Sequence, residues 1–294
     1  MRVFELTLLS LALAGLVFTT ACDIIEAPRR EGGSEAGDFI CIDDAGVSTE
    51  RKVLMEEFTG MKCGNCPPRS KEAQAFVQQY SGRFILNSIH SGGFAEPDGG
   101  GLYTPDFRTP AGDQLDLDFQ LQSYPNAVIN RSRYNGDLVL GATDWQAKVE
   151  EELQKTLDVK LCVVAAYDTE TDLVSATVNM EYQTDGDIED FVSVYLIADT
   201  VTGPQKWYNH DPENIDTYPH VNLMRGSFNG VYGTRVSDST IVAGDRFALK
   251  FERPLSDFNR TLSGDWQRLK VLAFVHNNTT GEIKQAEEVY ISQQ

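Results

Sequence analysis

The sequence predicts an α/β domain followed by an all-β domain, and three observations carry that prediction. A strand, helix, strand pattern runs from Lys52 to His90. Beyond Asp158 no long helical period recurs, and short apolar runs separated by turn signals take over. Between the two strands, Cys63-Gly-Asn-Cys66 sits where the first strand gives way to the first helix.

The chain opens with an export pattern. Arg2 is a small positive n-region, Leu6 to Phe18 is mostly apolar, and Thr19-Thr20-Ala21 precede Cys22. The apolar run is short for a membrane span and ends at a cleavage-like site. A cysteine directly after small residues resembles a bacterial lipobox, with Thr19 where Leu or Val is usual. Residues 1–21 then read as a lipoprotein signal peptide, and Cys22 as the lipidated start of the mature chain. The alternative is an ordinary signal peptide with an incidental cysteine. Several acyl chains on one cysteine exceed the two signals that stable anchoring requires. Residues 22–50 are polar, Gly/Glu-rich and carry Arg29-Arg30, as a tether does.

Residues 51–158 form the expected α/β domain. Val53–Phe58 reads as an apolar strand. The following helix has Pro67 in its first turn, where proline is tolerated. Its expected apolar face is Ala73, Phe76, Val77 and Tyr80, and Gly82 suits the stop. Phe84–His90 reads as a buried strand. Residues 91–123 read as an insertion with a helix near Gln114–Ser123. Its Gly99-Gly100-Gly101 lacks the Gly-Lys-Ser/Thr of a phosphate loop. Pro125 then stands directly before an apolar strand, Asn126–Asn130, with which Asp137–Gly141 pairs as a hairpin. Thr143-Asp-Trp-Gln146 matches a capping box, and Trp145, Val149, Leu153 and Leu157 make one helical core stripe.

Residues 159–294 read as an immunoglobulin-like β-sandwich. The expected strands are Val159–Tyr167, Leu173–Tyr182, Phe191–Thr200, Thr240–Phe251, Leu269–His276 and Ile283–Ile291. Asp185-Gly186, Gly203-Pro204, Gly244-Asp245 and Thr280-Gly281 supply turns. Pro204–Tyr232 reads as a long loop holding Trp207, His210, His220 and Arg225, either a binding loop or mere decoration.

Net charge is −19, which argues against nucleic acid and against anionic lipid surfaces as partners. No cofactor motif is present. A structural zinc needs four ligands, usually as two close pairs, and there is no second Cys-x-x-Cys. Cys63 would stand at a helix N-terminus, where orphan N–H groups and the helix dipole favour a thiolate. Strand, Cys-x-x-Cys, helix is the layout of a thioredoxin-like redox site. In that reading Cys63 is the exposed nucleophile and Cys66, deeper, resolves the mixed disulfide. The competing reading is a structural disulfide that never exchanges.

The five cysteines are an odd number for an oxidising compartment. Assigning Cys22 to lipid and Cys63 and Cys66 to the motif leaves Cys41 and Cys162, which are expected to form a structural disulfide. Two separate buried thiols are the alternative.

Glu57-Phe-Thr-Gly60, Cys63-Gly-Asn-Cys66-Pro67 and Tyr124-Pro125-Asn-Ala-Val-Ile-Asn-Arg131, on a lipobox chain with a β-rich second half, resemble the Omp28-related outer-membrane lipoproteins. The resemblance spans most of the mature chain and implies a lipid-anchored place at the outer membrane, on its periplasmic or cell-surface face. The first half also resembles thioredoxin. That likeness implies that Pro125 faces the cysteines as a cis-proline. It also implies that Glu57, six residues before Cys63, is a buried acid that takes the proton of Cys66, although a strand residue facing solvent is the alternative. Gly-Asn stands between the cysteines instead of Gly-Pro, and Lys62 replaces the usual tryptophan. Lys62 beside Cys63 would favour the thiolate, and His90 at a strand end could pair with it. The expected function is thiol–disulfide exchange with protein thiols or disulfides of the cell envelope. The alternative is a surface binding or adhesion module in which the Cys-x-x-Cys disulfide is structural.

Overall fold

The structure is a computed structural model that describes residues 41, 44, 47–258 and 266–293. The expected signal peptide, Cys22 and most of the expected tether lie outside the described residues. The architecture is mixed α/β and mostly strands, arranged as two sheets with few helices.

The first half runs β1 (Val53–Thr59), α1 (Cys66–Gln79), β2 (Phe84–His90), α2 (Gly92–Ala95), α3 (Pro110–Phe119), β3 (Asn126–Ile129) and α4 (Ala142–Leu153). β1 lies between parallel β2 and antiparallel β3. Every β1 residue is buried because the sheet is covered on both faces. Period-2 alternation sends Val53 and Met55 into the core beneath α1 and α4, with Phe76, Trp145 and Val149. Leu54 and Phe58 enter the opposite core with Leu115, Tyr195 and Phe274.

The second half runs β4 (Val159–Asp168), β5 (Leu173–Tyr182), β6 (Asp190–Lys206), β7 (Asn214–Ser227), β8 (Thr234–Arg235), β9 (Arg246–Pro254), β10 (Leu269–Asn277), β11 (Ile283–Tyr290) and β12 (Ser292–Gln293). The large sheet has the order β11-β10-β6-β7-β2-β1-β3, with β8 on β6, and the small one β12-β4-β5-β9. Their facing residues, among them Leu161, Val178, Leu196 and Val271, make a third core. The large sheet does not stop at residue 158: β7 lies parallel to β2, with Ser88 opposite Leu223.

Several expectations change here. Pro204–Tyr232 is not a loop for most of its length. β6 continues to Lys206, and β7 returns against it as a long antiparallel hairpin. Its main-chain ladder holds a polar, proline-containing strand that side-chain pattern alone does not announce. α3 starts at Pro110, earlier than expected. The Thr109 hydroxyl accepts from the Gly112 N–H at 3.0 Å, and Pro110 fills the first helical position. The Thr143 capping box does not form. Leu140 is bonded in both directions to Ala127, so the chain turns helical directly after Gly141 and Thr143 is already inside the first turn. Val77 is exposed, while Ala73 and Phe76 of α1 are buried. The strand expected from Thr240 starts at Arg246.

Candidate functional site

The Cys63–Cys66 disulfide closes the loop between β1 and α1, with Cα atoms 5.4 Å apart. Inside the loop Cys63 N donates to Gly60 O at 3.0 Å and Cys66 N to Cys63 O at 3.2 Å. Cys66 is the first residue of α1 and Pro67 the second, and Asn65 offers no side-chain cap. Cys66 N is already bonded to Cys63 O, and Pro67 and Pro68 carry no N–H, so α1 favours a thiolate after reduction through the positive end of its dipole and not through free donors. Cys63 is not the exposed member expected: it is 2% exposed and Cys66 1%. The cover is the tip of the β6–β7 hairpin, which lies along the loop. Lys206 N donates to Met61 O at 2.8 Å, Tyr208 N to Gly64 O at 2.9 Å and Gln205 Nε2 to Cys63 O at 3.1 Å.

Glu57 lies on the α1 face of β1 and is fully buried. It accepts from Ser70 Oγ at 2.5 Å and from Ser88 Oγ at 3.3 Å, so its bonds go to hydroxyls and not to a cysteine. Burial pushes its carboxyl up to about 7, against the partial relief of these two hydroxyls. Beside it, burial and the charge of Glu57 push the Tyr218 phenol up to about 12. A cavity of about 20 Å³, lined by Ser70, Ser88, His90, Gln205, Tyr218 and His220, adjoins this group. That is room for about one water.

His90 ends β2 opposite Thr59. It is buried, with its ring 5.4 Å from Phe107 and 4.9 Å from His220. Burial above all, then His220 and Arg225, holds its pKa well below the ordinary value. A neutral imidazole cannot be the cation that pairs with a thiolate, which removes that role. His220, 3.2 Å from Pro204 O, is pushed down to about 4 by burial. Lys62 is also otherwise engaged, with its Nζ 2.8 Å from Asp98 Oδ1.

Pro125 precedes β3, and the Phe58–Asn126 pairing puts it beside Thr59, the end from which the cysteine loop departs. The Tyr124–Pro125 bond is cis. The Tyr124 hydroxyl bonds to Asp116, and its ring lies 6.0 Å from that of Phe94. Cys41 is bonded to Cys162. Trp207 and His210 stack at 4.5 Å in the hairpin tip, with Lys71 Nζ 4.4 Å from the Trp207 ring. Arg225 is buried lower in β7, where its Nη1 donates to Phe107 O at 3.2 Å.

Sequence reasoning missed Ser70, Ser88, Gln205, Tyr208 and Tyr218. Ser70 had a signal, four residues after Cys66 on one helix face. The rest come from β2, β6, β7 and the turn between the last two, all distant in sequence. Among the described residues, no three His, Cys, Asp or Glu side chains gather as a metal site, and no helix is long and apolar enough to cross a membrane.

The buried carboxyl gives a pH prediction. A folded value of about 7 lies above the ordinary 4.5, so the contribution of Glu57 is whole below pH 4.5 and is lost as pH rises through 7. The loss is roughly 3 kcal/mol for a shift of this size. His220 acts in the opposite sense: its contribution is present above 6.5 and is lost as pH falls through about 4. Glu57→Gln isolates the first effect. Urea midpoints from pH 4.5 to 8 are expected to show the variant gaining on the parent chain as pH rises. A constant difference would mean that Glu57 is not held protonated.

The family model described as outer membrane protein Omp28 matches residues 112–294, more than half of the chain. No curated protein matches. Among solved structures, HBP35 of Porphyromonas gingivalis is similar at TM-score 0.60 and 19% identity, covering 83% of this chain and 76% of that one. A protein of Agrobacterium tumefaciens is similar at TM-score 0.50 and 14% identity, covering 82% of this chain and 95% of that one. A domain of the outer membrane lipoprotein Omp28 of Porphyromonas gingivalis aligns at TM-score 0.30 and 20% identity, over 48% of this chain and 93% of that one. At these identities the structural likenesses speak to fold alone.

Proposed function

This chain belongs to the Omp28 family of outer membrane proteins, and on that premise we propose that it is a thiol–disulfide oxidoreductase of the cell envelope. Its location is the outer membrane. The observation that carries the proposal is the bonded Cys63–Cys66 pair at the N-terminal end of α1, backed by a buried carboxyl whose pKa is raised to about 7. In this reading the first half is a thioredoxin-like domain (51–158) and the second an immunoglobulin-like one (159–294). Cys22 carries the lipid, and release of a Cys22→Ser chain from washed membranes checks that attachment.

In the reductive direction, the Cys63 thiolate attacks one sulfur of a substrate disulfide. A mixed disulfide forms and one substrate thiolate leaves. The Cys66 thiolate then attacks Cys63 Sγ, the second substrate thiolate leaves, and the Cys63–Cys66 disulfide closes. The substrate gains two electrons and the protein loses two. Cys66 must lose a proton on the way. Glu57, whose carboxyl is raised to about 7, takes it through Ser70 or a water in the adjoining cavity. Pro125 flanks the loop end and has no N–H to offer a substrate chain.

The purified protein is expected to reduce a model protein disulfide when supplied with a thiol reductant. Cys63→Ser should abolish turnover, and Cys66→Ser should accumulate the mixed disulfide. Absence of that adduct together with absent turnover would leave the second reading. That reading, a surface binding module stapled by Cys63–Cys66, is favoured by the near-complete burial of both cysteines.

A further inference from the structure

We propose that the tip of the β6–β7 hairpin is a strap that must lift from the Gly60–Cys66 loop before the Cys63–Cys66 disulfide can be reached. The inference takes its purpose from the exchange reading, while its physical claim concerns access alone.

The contacts between strap and loop are specific. Gln205, Lys206 and Tyr208 donate to the carbonyls of Cys63, Met61 and Gly64, so they grip three of the loop's main-chain acceptors. The Tyr208 ring lies flat against Gly64. A Cβ at residue 64 would come within 2.6 Å of its Cγ and Cδ2 atoms, so only glycine between the cysteines admits this ring. With the strap down, the sulfurs are sealed.

The strap is also built to move. Tyr208 to Asn214 are all exposed, so nothing beyond Gln205 on the tip side is anchored in a core until Tyr218. The turn is closed within itself by Trp207 N to Glu213 O at 2.8 Å and by the Trp207–His210 stack. Its remaining holds on the first half include Lys71 over the Trp207 ring and the exposed Tyr103 hydroxyl, which donates to Asn214 Oδ1 at 2.7 Å. A segment with few buried contacts and exposed main chain opens locally at much lower cost than the core. The lower hairpin, paired through Val201–His220 and beyond, stays in the large sheet while the tip lifts.

Two variants loosen the strap from opposite sides: Tyr208→Ala removes the ring, and Gly64→Ala pushes it off. The measurement is the rate at which dithiothreitol reduces each disulfide in the oxidised protein, read by quenching with iodoacetamide and peptide mass analysis. Cys41–Cys162 is the internal reference for global unfolding. Both variants are expected to reduce Cys63–Cys66 about tenfold faster, the size of losing one or two contacts of this kind. The Cys41–Cys162 rate should hold steady. Unchanged rates in both variants, or equal acceleration of the two disulfides, would overturn the strap. Faster reduction without transfer to a substrate disulfide would sink the exchange reading and leave the strap standing. Transfer by the parent chain with unchanged variant rates would do the reverse.

Discussion

Removing the Cys41–Cys162 bridge, as Cys41→Ser with Cys162→Ser, is expected to cost the fold about 5 kcal/mol. The bridge spans 121 residues, and Cys41 is 7% exposed beside Asn179, whose Nδ2 lies 3.6 Å from its sulfur. It ties the chain's entry, ahead of β1, to β4, the first strand of the second half. In the chain-entropy account a loop this long takes more freedom from the unfolded chain than from the folded one, so the stabilisation lies mainly in the unfolded state. Guanidinium unfolding of the double variant against the oxidised parent measures it. A loss under about 1 kcal/mol would mean that the unfolded chain is already compact around this pairing.

The second large effect is expected at Arg131. Its Nε and Nη2 each reach a Glu56 oxygen at 2.8 Å, and Nη2 also donates to the Tyr195 hydroxyl at 3.1 Å. Both partners are sealed, at 2% and 0% side-chain exposure. The guanidinium lies 4.9 Å from the Phe274 ring centre and 5.5 Å from that of Phe119. One side chain from the turn after β3 thus joins β1, α3, β6 and β10. Arg131→Met leaves the Glu56 carboxylate buried without a partner and should cost about 3–5 kcal/mol. Adding Glu56→Leu should recover most of that, because a pair of apolar groups of similar volume replaces a buried ion pair at little cost. Urea unfolding of the two variants decides it. A double variant no more stable than Arg131→Met would show that the aromatic contacts, not the charge pair, carry the stability.

Local signals were legible where their cause is local. Pro67 in a first turn, the apolar runs of Val53–Phe58 and Phe84–His90, and the stripe Trp145, Val149, Leu153 each depend on a repeat of two or of 3.6 residues within one element. Five of the six expected β strands of the second half start within one residue of the observed ones, because their turns are written in Gly, Asp and Pro. β7 was not legible. Asn-Ile-Asp-Thr-Tyr-Pro-His is a strand because β6 supplies its ladder, and a main-chain ladder leaves no side-chain signature.

The sequence by itself determined that the chain carries a Cys-x-x-Cys between a strand and a helix, an acid six residues upstream, and two further cysteines left to pair. Only the tertiary structure decided what state those groups are in. Glu57 is held near pKa 7 because α1 and β2 cover it and give it only hydroxyls. His90 is neutral because Phe107 and His220 close over it. Cys63 is sealed by Gln205, 142 residues away along the chain. Burial and charge state are sums over neighbours that come from distant strands, so no window of the sequence around Cys63 contains the groups that set them.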